Sequence, residues 1–267
     1  MLFSLSSLAA LGAGGPASSP HAAAPVPGAD PGSGHVVLVE LFTSQGCSSC
    51  PPADRLISAI AAERAGSVVT LEFHVDFWNS GGWTDPFSSR DWTARQVAYE
   101  RALGQNQPYT PQAVVDGHVE MIGSDAARLR PALDAAAAQP GGRIQLQLEP
   151  SAERVQVGAD VTLPDALHGR RLDLMAVVFQ RDLTTPVGRG ENGGHTLHND
   201  FVVRSLERVD RLKPDVPAFS HHAAALRLSK DWDASRLGVA VFLQDPKTLE
   251  VLGAAAQPFA PASALRR

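Results

Sequence analysis

The sequence predicts an α/β unit followed by a β-rich, antiparallel, sandwich-like C-terminal region. Three observations carry this. From residue 35 an apolar strand, a C-x-x-C loop, an amphipathic helix and a second strand follow one another. Further on, Asp116-Gly117 makes a two-residue turn between short apolar stretches. Beyond Arg143 the pattern changes to short alternating stretches with no long helix between them.

The elements follow in order. Residues 35–42 read as a buried strand. Residues 53–64 read as a helix, entered through Gly46-Cys47-Ser48-Ser49-Cys50-Pro51-Pro52. The two prolines suit a first helical turn, which needs no N–H from them. Residues 67–75 are a second strand rich in β-branched residues, so strand, helix and strand make a right-handed crossover with a parallel pair. Residues 76–87 form a loop holding two Trp and two Phe among glycines and acids. Such a loop, at the C-terminal end of a parallel strand, either lines a ligand crevice or packs a hydrophobic cluster of its own. Residues 89–103 predict a helix capped by Ser88 or Ser89, with Asp91 in its first turn and Ala94, Val97, Ala98 and Leu103 on one face. Residues 113–115 and 118–122 are the arms of the Asp116-Gly117 hairpin. Ser124 or Asp125 caps a last helix to about residue 138, whose regular part Pro131 delays to near Arg130. Strands follow at 144–149, 155–161, 172–180, 201–206, 223–228 and 237–243. The expected division is therefore 1–34 as a signal-like segment and linker, 35–141 as the α/β domain and 142–267 as the β-rich domain.

Chemistry concentrates at the two cysteines, the only ones in the chain. The thiolate is the form that attacks a disulfide, and a helix N-terminus favours an anion. This placement predicts Cys47 as an exposed nucleophile and Cys50 as the buried resolving thiol, the two closing an intramolecular disulfide. Three other readings compete. Half a zinc site would need a second ligand pair, and no further cysteine exists. A structural staple closing so short a loop stabilises little. A Cu(I) pair suits soft ligands, and makes a non-catalytic binding protein the alternative. Redox ranks first, metal binding second and the staple last. Redox chemistry by this pair calls for no organic cofactor and no resident metal, and its partners would be protein or small-molecule thiols and disulfides.

Other residues are candidates for supporting roles. Glu40, within the first strand, and His74 and Asp76, at the end of the second, are possible proton shuttles; His74 could equally be a bonded core histidine, and Glu40 could be edge-exposed. Trp78 and Trp83 would wall the site. Residues 186–200 hold Gly188, Gly190, Gly193 and Gly194, and this run, with Glu191, Asn192 and His195, is expected to fold over Cys47. It lacks a phosphate-loop pattern, and His195, His198 and Asp200 either hold a metal or merely decorate a polar loop.

The order β-α-β-α-β-β-α over residues 35–140 resembles the thioredoxin fold, on Cys47-Ser48-Ser49-Cys50-Pro51 after the first strand and Thr110-Pro111 opening the third. The resemblance implies a thioredoxin-like domain in which Pro111 is cis and lies against the cysteines, while Thr110 positions an extended substrate. Locally, an ordinary trans proline would serve as well. Gly46 and the Ser-Ser pair depart from thioredoxin itself, so potential and partners do not carry over. Nearly the whole chain is similar to a secreted bacterial family, domain of unknown function 1223. The matching motifs are 39–54, Phe73-His74-Val75-Asp76-Phe77-Trp78, Gly82-Trp83, Asp85-Pro86-Phe87, Tyr109-Thr110-Pro111-Gln112, Val115-Asp116-Gly117 and the glycine-rich run. That resemblance implies a thioredoxin-like fold with an appended β-rich region, and export.

Composition agrees with a globular protein: 44% of residues are hydrophobic and 19% charged. A net charge of −5 gives no reason to expect a nucleic-acid partner. Residues 2–13 are apolar, too short to span a bilayer, and resemble the core of a secretory signal without a preceding Lys or Arg. Residues 14–34, rich in Ala, Pro, Gly and Ser, read as linker. The expectation is a periplasmic or secreted bacterial protein with no stable membrane insertion.

Overall fold

The architecture grows outward from one parallel pair. In the computed structural model, which describes residues 35–259, β1 (Val37–Thr43) and β2 (Val68–His74) pair in parallel across the crossover helix α1 (Pro51–Glu63). Strand alternation sorts β1 into two faces. Val37, Val39 and Leu41 pack with Ala53, Ile57 and Ile60 of α1, while Leu38 and Phe42 meet Phe73, Trp92 and Tyr99 on the other side.

Helix α2 (Arg90–Leu103) covers that second side. The Ser89 hydroxyl accepts from the Asp91 N–H at its start, and Gly104 ends it in the left-handed region. Its buried stripe is Trp92, Gln96 and Tyr99, not the expected Ala94 and Val97 face; Ala94 is exposed. Large rings bury far more apolar surface than alanines do, so they set the rotation of the helix. Trp92 meets Phe73 edge-on at 5.3 Å between ring centres.

The hairpin of β3 (Gln112–Val115) and β4 (Val119–Ile122) turns through Asp116 (φ 45°) and Gly117 (φ 64°). Both residues are left-handed, as this tight turn requires. A Cβ on Gly117 would run into the Leu249 carbonyl, so the turn is also a point of close approach. Helix α3 (Ala126–Ala137) starts at its Asp125 cap, and Pro131 sits within it instead of delaying it. Pro131 lies on the exposed side, while Leu129 and Leu133 hold the helix to the sheet.

The second half does not stand apart as a separate domain. Strands β7 (Leu172–Gln180), β10 (Val202–Leu212), β12 (Leu237–Gln244) and β13 (Val251–Pro258) extend the first sheet. Its order is β13-β12-β7-β10-β2-β1-β3-β4. The junction is parallel, with Val202 opposite Glu72 and the Glu72 N–H donating to Phe201 O at 3.0 Å. All described residues fall within one compact unit, so the expected boundary at 141/142 crosses a continuous sheet. A second sheet, β5 (Arg143–Pro150), β6 (Arg154–Thr162) and β11 (Phe219–Arg227), packs on the added strands. There Val155, Val157 and Val161 meet Leu174, Ala176, Val178, Val239 and Val241. The last pair, β8 (Leu183–Pro186) and β9 (Thr196–Asn199), forms a separate ribbon. No described helix is long and apolar enough to cross a membrane, and the signal-like residues lie outside the described ones.

Candidate functional site

The cysteine loop is shaped by its own backbone. Cys47 N–H donates to Ser44 O (3.1 Å), Cys50 N–H to Cys47 O (3.2 Å), and Ala53 and Asp54 N–H to Cys50 O (2.8 and 3.1 Å). This turn brings the Cα atoms of Cys47 and Cys50 to 5.5 Å, and the two are joined as a disulfide. Cys50 stands at the start of α1, before Pro51 and Pro52. Cys47 is fully buried, as is Cys50, which corrects the expectation of an exposed Cys47. Ser48 and Ser49 are exposed, and the Ser49 hydroxyl lies 3.3 Å from Cys47 Sγ.

Two segments close over the pair. On one side Cys47 Sγ is 3.9 Å from the carbonyl oxygen of Thr110, and the Thr110–Pro111 peptide is cis. Trp78 Nε1 donates to Thr110 Oγ1 at 2.7 Å, and Gln96 Nε2 donates to Tyr109 O (2.7 Å) and Gln112 Oε1 (2.9 Å). The Tyr109 hydroxyl is bonded to Glu120, so the segment before Pro111 is held from three directions. On the other side Asn192 Nδ2 donates to Gln45 O (2.9 Å) and Cys47 O (3.0 Å), and Glu191 Oε2 accepts from Ser48 N–H (2.9 Å). Trp83 lies against Gly190 and donates from Nε1 to Gln45 Oε1 at 3.3 Å. The glycine-rich run therefore sits on the cysteine loop through Glu191 and Asn192, while the His195 side chain is exposed.

Beneath the loop lies a buried polar network. Strand β2 presents Thr70, Glu72 and His74 toward α1, the face opposite Leu71 and Phe73. His74 Nδ1 is 2.7 Å from Asp85 Oδ2, which also accepts the Gln45 N–H at 2.7 Å. Asn199 Nδ2 bridges Asp54 Oδ2 and Glu72 Oε2, at 3.3 Å each, and its Oδ1 accepts from Gln45 Nε2 at 2.9 Å. The Thr43 hydroxyl donates to Asp54 Oδ1 at 2.7 Å. Glu72 Oε2 stands 3.6 Å from His74 Nε2, and neither that nitrogen nor Glu72 Oε1 has a hydrogen-bond partner among the described residues.

Burial acts on every proton in this network. It pushes Asp54 up to about 6 against the Thr43 bond and the His74 charge. It pushes Glu72 up to about 8 against the attraction of the neighbouring His74. Burial alone would push His74 down, but the charge and bond of Asp85, with Glu72, carry it up to about 10. For Asp85 burial pushes up, and the His74 charge and bond outweigh it, leaving the group below the usual range. Near neutral pH the network thus holds an imidazolium–carboxylate pair and two carboxyl groups able to exchange protons.

Not every expected residue joins this site. Glu40 points to the opposite face of β1. There Arg95 Nε and Nη2 grip its carboxylate at 2.6 and 3.0 Å, and the Tyr99 hydroxyl donates to it. A shuttle role for Glu40 at Cys50 is excluded by that alternation, because the cysteine helix packs on the Val39 and Leu41 face. Asp76 accepts from the Thr93 hydroxyl at 2.7 Å, at the start of α2. His198 pairs with Asp182 at 3.0 Å, and among the described residues no group of three or more His, Cys, Asp or Glu is disposed to hold a metal ion. The sequence reading missed Gln45, Asp54, Glu72, Asp85 and Asn199. Alternation in β2 (apolar Val69, Leu71, Phe73 against Thr70, Glu72, His74) was the one signal available for Glu72.

The family model described as "Protein of unknown function (DUF1223)" matches residues 38–244. No curated protein matches the chain. A crystal structure of an Agrobacterium tumefaciens protein is similar at 29% identity and a TM-score of 0.65, over 84% of this chain and 94% of that one. HBP35 of Porphyromonas gingivalis is similar at 16% identity and a TM-score of 0.64, over 86% of this chain and 78% of its own, which is a likeness of fold alone.

Proposed function

This chain belongs to the DUF1223 family of proteins of unknown function, and on that premise we propose that it is an exported thiol–disulfide oxidoreductase on a thioredoxin-like fold. One observation carries the reading: Cys47 and Cys50 are paired just before the first turn of α1, opposite Thr110–Pro111 and next to the buried Asp54, Glu72, His74 and Asp85. The element order β1-α1-β2-α2-β3-β4-α3 supports the fold assignment.

The chemistry is an exchange. A thiolate attacks Cys47 Sγ, the Cys47–Cys50 bond breaks, and Cys50 leaves as a thiolate that takes up a proton. A second thiol then attacks the mixed disulfide and releases Cys47. Two substrate thiols have become one disulfide, and the protein has gained two electrons and two protons; the reverse reduces a substrate disulfide and restores the Cys47–Cys50 bond. The N-terminus of α1 favours the thiolate forms. Thr110 would align an extended substrate. Protein or small-molecule thiols and disulfides are the expected partners. Export is part of the proposal: disulfides persist in oxidising compartments, and residues 2–13 have signal-like apolarity.

The test is the reduction potential of the pair in a glutathione series, with Cys47→Ser as control. A value between about −120 and −270 mV, the span of exchange catalysts, supports the function and gives its direction. A value below about −300 mV, or no reversible pair, refutes it in favour of a structural bridge or metal-binding thiols.

A further inference from the structure

Residues 183–200 form an arm. Its strands β8 and β9 pair only with each other, not with either larger sheet. Its tip is closed on itself: Val187 N–H donates to His195 O (2.9 Å), Gly194 N–H to Val187 O (2.8 Å), Gly193 N–H to Gly190 O (3.0 Å) and His195 N–H to Asn192 O (3.1 Å). Gly190 (φ 78°) and Gly194 (φ 84°) supply the left-handed backbone this needs. The tip therefore has a fixed shape of its own.

The feet of the arm are unusual. Asp182 (φ 55°) and Phe201 (φ 54°) are both left-handed although neither is glycine, and for a bulky residue such as Phe this is rare. The N–H groups of both donate to one atom, Asp200 Oδ1, at 3.1 Å each. Immediately beyond the feet the chain enters β7 and β10, two inner strands of the large sheet. The arm is thus anchored at its base, while its tip is bonded within itself and stands on a two-stranded ribbon outside both larger sheets.

The arm ends on the backbone around Cys47. Three side-chain bonds fasten its tip to the cysteine loop, two from Asn192 and one from Glu191, while nearer the base Asn199 is bonded to Gln45, Asp54 and Glu72. While they hold, Cys47 Sγ has no exposed surface. An attacking sulfur has to come close to Sγ along the line of the S–S bond.

We infer that Glu191 and Asn192 determine which thiols reach Cys47, the tip of the arm lifting off the cysteine loop to admit them while Asn199 stays bonded at its base. The inference rests on the thiol–disulfide reading and adds a substrate class to it. Small thiols and extended peptide thiols, which need only a partial opening, are the substrates. Cysteines on the surface of a folded protein, which need the whole tip displaced, are excluded.

The test uses the full-length oxidised protein. Reduction is timed with 2-mercaptoethanol and with a small folded protein carrying one surface cysteine, each rate being corrected for thiolate fraction. New thiols are counted by maleimide labelling after an acid quench. In the wild type the protein thiol should react at least tenfold more slowly. Asn192→Ala removes two of the three bonds, each worth roughly fivefold in the open–closed equilibrium. It should speed the protein thiol roughly 25-fold and 2-mercaptoethanol by clearly less. Glu191 is exposed, so Glu191→Gln leaves the core untouched and should shift the same ratio by several-fold. Equal rates for the two thiols in the wild type, or equal acceleration of both in the variants, would overturn the gate while leaving the exchange reading standing. If neither thiol reduces the native pair, although the denatured protein is reduced normally, the exchange reading itself fails.

Discussion

Asp85→Asn tests the buried network most directly, because this carboxylate bonds both His74 and the backbone of the cysteine loop. Neither the His74 nor the Asp85 side chain has exposed surface. Burial disfavours the imidazolium, and Asp85 more than reverses that, so His74 is carried from an ordinary 6.5 up to about 10. The folded protein keeps this proton over a range in which the unfolded chain has lost it. The stabilisation is therefore full below pH 6.5 and disappears as pH rises through about 10. At about 1.4 kcal/mol per unit, the whole span amounts to about 5 kcal/mol. Glu72 acts with the same sign between its ordinary 4.5 and about 8, so the cleanest window for His74 lies above pH 8. Urea unfolding with the disulfide intact, followed by tryptophan fluorescence, should show the wild type losing about 2 kcal/mol between pH 8 and pH 9.5. Asp85→Asn should be less stable by about 3–5 kcal/mol at pH 7, the usual cost of breaking a buried pair from one side. Its profile above pH 8 should be flat, because an imidazole without its carboxylate is already neutral there. A flat wild-type profile, or a variant within 1 kcal/mol of wild type, would refute the charged pair.

On the opposite face of the sheet, Arg95→Met strands the Glu40 carboxylate in the core and should cost about 3–5 kcal/mol in denaturant unfolding. Adding Glu40→Leu should restore most of that, and a double variant as unstable as the single one would contradict it. Gly117→Ala places a methyl group against the Leu249 carbonyl at a left-handed position; a loss of about 1–3 kcal/mol is expected by thermal unfolding. Asn199→Asp puts a third carboxyl between Asp54 and Glu72. Unfolding measured at pH 5 and pH 8 should show a loss of roughly 2–4 kcal/mol at pH 8 and a smaller one at pH 5, where the added group can stay protonated.

Those perturbations fall on residues that differ in how visible they were beforehand. β7 was legible to its last residue because Leu172–Gln180 is buried along nearly its whole length and reads as one apolar run. The Asp116-Gly117 turn was legible because its chemistry is local. β8 and β9 were not: each is four residues long, and Leu183–Pro186 ends in a proline. β13 was hidden by composition, since Val251–Pro258 is mostly small residues with weak strand preference, held in place by register with β12. The contact that mattered most, β10 beside β2, joins residues 202 and 72 and leaves no trace in either segment alone.

The same distinction governs the site. Cys47, Cys50, Pro51 and Thr110–Pro111 announce themselves within a few residues of chain, and Asn192 was flagged by the glycines around it. Asp54, Glu72, Asp85 and Asn199 come from a helix, a strand, a loop and the arm, and only their convergence gives them meaning. The arm works at both levels: Asn192 holds the cysteine loop from above, and Asn199 separates two buried acids below it. A division of the chain at 141/142 would therefore cut through the site as well as the sheet. It would leave β2 as an unpaired edge, strip Phe179, Val203 and Phe242 from the core beside Phe73, and open Asp54 and Glu72 to water. The β-rich half thus supplies a bond to the cysteine loop through Asn192 and the bridge between two buried acids through Asn199.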